Sequence, residues 1–218
     1  MKQNKTKIYF NIIISIFFIS LLVNVYMSVK ENSYKKRIYS KSYSSIQEIW
    51  NKNVDANKIL EVAVKDGKLK RGELIRLKQT YDVILEKNLS LIDDYTFYSN
   101  QEVFNIGSED NTKNTMLSDS YMKIKPYLSK LIEDNIYSSN EYIYINGRDS
   151  ICFNKLYDLS KDTNSYYEKL VKNNSEDGTF DGLKSKLSKD KFLNQVYNGL
   201  NEINSNYKNV DFSVQDKK

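Results

Sequence analysis

From Ile8 to Val29 the chain runs 22 residues without a charge, IYFNIIISIFFISLLVNVYMSV, and then turns abruptly polar. As a helix this run spans about 33 Å at 1.5 Å per residue, enough to cross a hydrocarbon core of about 30 Å. Tyr9 and Tyr26 lie near its ends, where an amphipathic ring is comfortable at headgroup level. Asn11, Ser15, Ser20, Asn24 and Ser28 interrupt the run without adding charge. A buried core helix is rarely so long and so evenly apolar. The pattern therefore predicts a transmembrane anchor over 8–29, preceded by a short basic tail over 1–7. No Ala precedes Ala56 and the end of the run offers no small-x-small cleavage site, so the anchor is expected to stay uncleaved.

Beyond the anchor the spacing becomes helical. Over 30–64, Ile38, Ile46, Ile49, Trp50, Val54, Leu60 and Val64 largely follow three- and four-residue intervals, predicting a juxtamembrane helix that Lys65-Asp66-Gly67-Lys68 ends. The segment 65–208 reads as a helical bundle. Its clearest stripe is Leu74, Leu77, Tyr81, Ile84, Leu85, Leu91, Ile92, Tyr95 and Tyr98, predicting a helix from Glu73 to about Phe104. Residues 105–115 form a polar, turn-rich loop. Ser118 or Asp119 is placed to cap a third helix running to about Tyr137, with Met122, Tyr127, Leu128, Leu131 and Ile132 inward. Pro126 either kinks that helix or moves its start to Lys125. Helices over about 150–173 and 183–207 follow; the second carries Leu183, Leu187, Leu193, Val196, Tyr197, Leu200, Ile203 and Tyr207. Residues 209–218 make a polar tail expected to fray.

One stretch carries a β signal. Between Glu141 and Phe153, aromatic and β-branched residues flank Asn146-Gly147, a strong hairpin-turn pair. A small β-hairpin near 142–153 is one reading. The other, favoured slightly, is a loop that ends at Asp149 or Ser150 as the cap of a helix carrying Ile151, Phe153 and Leu156. The expected class is all-α: an N-terminal transmembrane helix followed by an antiparallel helical bundle.

Composition changes this picture in two places. The bias toward Lys, Asn, Ile and Tyr, with Arg only at Arg37, Arg71, Arg76 and Arg148, resembles AT-rich coding in low-GC bacteria. The formal charge of +5 is unevenly placed: residues 1–29 carry +3, residues 30–41 carry +4, and the rest carries −2. The positive excess brackets the apolar run, where anionic headgroups attract it by about 1 kcal/mol per nearby cation. The distal part lacks the electrostatic footprint of a nucleic-acid binder. The basic tail with the bulk of the chain beyond the run favours an extracytoplasmic C-terminal domain, although the five cations after the run pull the other way.

Candidate chemistry is sparse. The chain has no His, which removes Ser-His-Asp and Cys-His arrangements and the commonest transition-metal ligand. Cys152 stands alone between Ile151 and Phe153 and reads as a small core residue. Two loops echo a calcium loop. In the first, Asp66, Gly67 and Glu73 fit, but Val62 and Val64 fall where ligands are required. In the second, Asn173, Ser175, Asp177, Gly178 and Asp181 fit, but Lys184 takes the place of the bidentate Glu. The adjacent acids Asp93-Asp94 and Glu109-Asp110 would point in different directions on a helix. The 18 Tyr suit either an interaction surface or a core supplied by codon bias. No catalytic, cofactor or metal residue is nominated. The expected partners are the lipid bilayer and a protein partner or second copy. The expected function is a single-pass, membrane-anchored scaffold or assembly module, with the juxtamembrane helix free to form a coiled coil. The alternative is an extracytoplasmic ligand-sensing domain that signals through a membrane partner.

Overall fold

A computed structural model describes residues 2–101, 116–187 and 190–212, with side chains over 9–94, 118–186 and 192–212. Its elements are α1 (Lys2–Asp66), β1 (Lys68–Lys70), α2 (Arg71–Gln101), α3 (Met116–Asn135), β2 (Tyr142–Tyr144), α4 (Arg148–Asn174), a 3-10 turn (Asp181–Leu183), α5 (Lys184–Leu187) and α6 (Asp190–Tyr207). Helix accounts for 85% of the described residues, which places them in the all-α class with one small antiparallel ribbon. The chain divides into two compact units between Lys41 and Ser42.

In the first unit, every side chain from Tyr9 to Lys30 is exposed. This part of α1 is long and apolar enough to span a membrane. Ser15 returns its hydroxyl to the Asn11 carbonyl at 2.9 Å, so that polar group is satisfied within the helix.

The second unit is a bundle in which residues 42–66 of α1 are core. Ile46, Ile49, Ala56, Ile59, Leu60 and Ala63 are buried there, together with polar Ser42, Ser45 and Asn53. Cross-helix contacts fix the directions. Ser42 meets Asp94, Lys87 meets Glu48 and Arg76 meets Asp55, so α2 runs antiparallel to α1. Trp50 stacks on Tyr167 while Asn53 bonds to Ser160, so α4 is antiparallel to α1 as well. Tyr207 reaches Asp162 and Tyr166 reaches Val196, setting α6 against α4, and Ser120 with Asn204 joins α3 alongside α6. Gly199 admits this approach: a Cβ there would sit 2.4 Å from the Tyr166 ring.

Local chemistry explains the element ends. Gly67 takes φ +63°, a left-handed conformation that stops α1 and suits a residue without Cβ. The ribbon then pairs Lys68 with Tyr144, Leu69 with Ile143 and Lys70 with Tyr142. Leu69 and Ile143 turn into the core, and Ile145 N–H to Gly67 O and Arg71 N–H to Glu141 O extend the ladder. Alternation puts the lysines on the other face, where Lys68 and Lys70 lie 5.0 and 5.6 Å from the Tyr142 ring.

Several expectations need correction. Residues 142–153 do not form a hairpin: 142–144 is a strand, but it pairs with 68–70, while 151–153 lie inside α4. Asn146-Gly147 instead leads into α4, with Gly147 at φ 55° and ψ −121° and no side-chain cap. α3 begins at Met116, so Ser118 is an interior residue, 4% exposed, rather than a cap. Pro126 sits within α3 and removes the amide that would bond the Met122 carbonyl. Met122 itself faces out, 50% exposed, so solvent rather than core meets the gap. The tail packs as far as Phe212, which is buried against the Tyr127 ring at 6.1 Å, and Arg148 pairs with Asp211. The expected loop at 105–115 lies outside the described residues, as does Glu109-Asp110.

Candidate functional site

Two constructions in the bundle bring chemistry-bearing side chains together. The first is a strap, residues 175–183, lying across α1. Phe180 is buried between Tyr43 and Trp50, with ring centroids 5.3 and 5.2 Å away, and Trp50 stacks on Tyr167 at 5.8 Å. Next to it, Asp181 accepts hydrogen bonds from Tyr43 Oη at 2.5 Å and Gln47 Nε2 at 3.4 Å, and Lys184 Nζ lies 5.6 Å from the Tyr43 ring. Partial burial and the Asp181 carboxylate push the Tyr43 hydroxyl up to about 12, because both disfavour a phenolate. Tyr43 therefore stays a donor at any physiological pH.

The strap is internally tied. Asp177 Oδ1 accepts from Ser175 Oγ at 2.6 Å, Thr179 N at 2.9 Å and Thr179 Oγ1 at 2.8 Å. These donors hold the carboxyl down at about 2, since each bond favours the charged form. Gly178 at φ +72° makes the turn, and Gly182 lies so close that a Cβ would stand 2.2 Å from Asp177 Oδ1. The carboxylate of this calcium-like loop is thus committed to the loop's own donors. In the other calcium-like stretch, Glu73 belongs to the first turn of α2 and Asp66 to the last of α1, with the ribbon between them. Among the described residues, no group of three His, Cys, Asp or Glu side chains is placed to hold a metal.

The second construction is a polar seam between α1 and α4. Asn53 Nδ2 donates to the Ser160 carbonyl at 2.7 Å and to Asn164 Oδ1 at 2.8 Å, and Ser160 Oγ returns a bond to the Asn53 carbonyl at 3.2 Å. Asn53 and Ser160 are 1% and 0% exposed, so this reciprocal pair crosses the core. Sequence periodicity overlooks it because only apolar residues are scored.

The other residues weighed from the sequence are scattered. Asp94 is buried and accepts from Ser42 Oγ at 3.0 Å, while Asp93 is exposed, so the two carboxylates diverge as their spacing requires. Cys152 is 1% exposed, and burial pushes its thiol up, which suits a core thiol rather than a nucleophile. Tyr81, Tyr121, Tyr127, Tyr167, Tyr197 and Tyr207 are core residues; Tyr34, Tyr137 and Tyr144 are exposed. An open cleft of about 440 Å³ lies beside the ribbon, lined by Lys70, Arg71, Glu73, Ser139, Asn140 and Glu141. One nitrogen of its Arg71 guanidinium donates to the carbonyls of Ser138 and Asn140, and so clamps the loop before β2. Comparison with known families, with curated proteins and with solved structures yields no match.

Proposed function

We propose that the chain is a single-pass, membrane-anchored interaction module without catalytic activity, its bundle on the outer side of a bacterial cytoplasmic membrane. The observation that carries this reading is the fully exposed, uncharged run over 9–29 within α1, the same helix whose residues from Ser42 onward are core of the bundle. An apolar surface of that extent has no stable place in water, and a bilayer satisfies it. The outward orientation draws on the basic tail of Lys2, Lys5 and Lys7. Carboxylates engaged within the fold, Asp94 with Ser42 and Asp177 with Ser175 and Thr179, favour an interaction module over a reaction centre.

The test is alkaline extraction of membranes, protease shaving of a C-terminal tag in intact protoplasts, and crosslinking in the membrane. Retention in the pellet, loss of the tag with a cytosolic control intact, and a discrete crosslinked complex are expected. Release by alkali would refute the anchor, protection of the tag would refute the outward orientation, and recovery of monomer alone would refute the module reading.

A further inference from the structure

Residues 30–41 are helical but lie outside the bundle unit, and they carry Lys30, Lys35, Lys36, Arg37 and Lys41 against the single acid Glu31. The helix phase sorts these residues. At about 100° per residue, Tyr26, Lys30, Tyr34, Arg37 and Lys41 fall within an arc of about 80°. All five are exposed, Tyr26 by 64% and Tyr34 by 52%. Lys30 Nζ lies 6.0 Å from the Tyr26 ring. On the opposite side, Lys35 and Tyr39 are half-covered, and Lys35 is paired with Glu31 at 2.8 Å.

We propose that this face, Tyr26, Lys30, Tyr34, Arg37 and Lys41, docks on the anionic phospholipid surface next to the span and leans α1 toward that side. The inference rests on the anchor reading above. Its occupant follows from charge complementarity and from continuity: the face begins on the last turn of the apolar run, so the nearest surface to it is the bilayer itself. The distances make the lean necessary. Lys41 lies about 18 Å along the helix from Val29, whereas the headgroup layer is only about 5–7 Å deep. An upright helix lifts Arg37 and Lys41 clear of it. Transmembrane helices tilt by up to about 40°, and a cationic face on one side selects the direction. Tyrosines between the cations offer rings suited to the interface.

The experiment uses the full chain in nanodiscs of phosphatidylcholine, with or without about 30% phosphatidylglycerol, and nitroxides at Ser33→Cys or Asn32→Cys. Ser33 borders the face and Asn32 points away from it. A trace of nickel-chelating lipid reports how near each label comes to the headgroups. With phosphatidylglycerol, relaxation at Ser33 should exceed that at Asn32 by about three-fold or more, and the difference should collapse in 0.5 M salt as screening predicts. The triple change Lys30→Gln, Arg37→Gln, Lys41→Gln should abolish it, and Lys35→Gln with Lys36→Gln should preserve it. Equal relaxation at both labels in every lipid overturns the proposal, as does equal loss in the two sets of variants. Failure of the protein to enter discs at all removes the anchor reading, and is distinguished by its elution free of lipid.

Discussion

Asn53→Ala cuts the tie between α1 and α4 with little change elsewhere. The amide donates at 2.7 and 2.8 Å to Ser160 O and Asn164 Oδ1 from a position 1% exposed. Two net hydrogen bonds are worth about 1 kcal/mol each, and the small void adds to the loss. Two effects reduce it. The Ser160 carbonyl lies in the middle of α4 and keeps its helical partner, and Asn164 is only half-buried, so water can reach it. Asn53 Oδ1 is also buried without a hydrogen-bond partner, so its removal relieves a strain already present. The balance is a destabilisation of about 2 kcal/mol, or about 4–8 °C in Tm for a domain of this size. Thermal unfolding of the purified full chain in detergent, followed by circular dichroism at 222 nm, measures it, with exposed Ser44→Ala as a control. A shift for Asn53→Ala within about 1 °C of that control would show that the seam contributes nothing to holding α1, and the reasoning would fall.

Gly182→Ala should loosen the strap, because its Cβ would meet Asp177 Oδ1 at 2.2 Å and Ser175 Oγ at 2.3 Å and push these side-chain ends aside; about 1 kcal/mol or less of lost stability and faster proteolysis at 175–183 are expected. Asp177 has a folded value of about 2, below its unfolded value near 4, so its stabilisation is full above that unfolded value and is lost as pH falls toward 2. The stability difference between wild type and Asp177→Asn should therefore be flat above about pH 5 and shrink below about pH 4 in urea titrations. A chain beginning at Ser42 should fold as a soluble helical domain by circular dichroism and amide exchange, whereas one beginning at Lys65 should not, since the latter lacks Ile46, Ile49, Ala56, Ile59, Leu60 and Ala63.

The stripes of α2 and α6 are readable from apolar spacing because each helix buries one face, and Leu74, Leu77, Tyr81 and Ile84 or Leu193, Val196, Tyr197 and Leu200 mark those faces directly. The ribbon is not readable. Lys68-Leu69-Lys70 offers one apolar residue between two lysines, and Tyr142–Tyr144 points by its own sequence to the nearby Asn-Gly turn. Its true partner lies more than seventy residues back, a choice made by the packing of α1 and α2 rather than by local preference. The strap was hidden for a related reason. Phe180 is a single aromatic in a polar loop, and only tertiary structure brings it to Tyr43 and Trp50.

α1 shows why the start of the bundle is hard to place by periodicity. Over 8–29 apolar residues occupy every face, so no phase exists, as for a helix long and apolar enough to span a membrane. Over 30–41 the phase is set by charge, with cations and tyrosines along one arc. From Ser42 the phase is set by packing, but three of its first inward positions, Ser42, Ser45 and Asn53, are polar. An apolar count therefore registers the core stripe late and weakly, and joins 30–64 into one juxtamembrane helix. The boundary becomes visible only when each buried polar group is asked for its partner: Asp94 for Ser42, and Ser160 and Asn164 for Asn53. Those bonds make residues 42–66 part of the bundle rather than a stalk beneath it, so a partner that engages this face must compete with α2 and α4 for the same side chains.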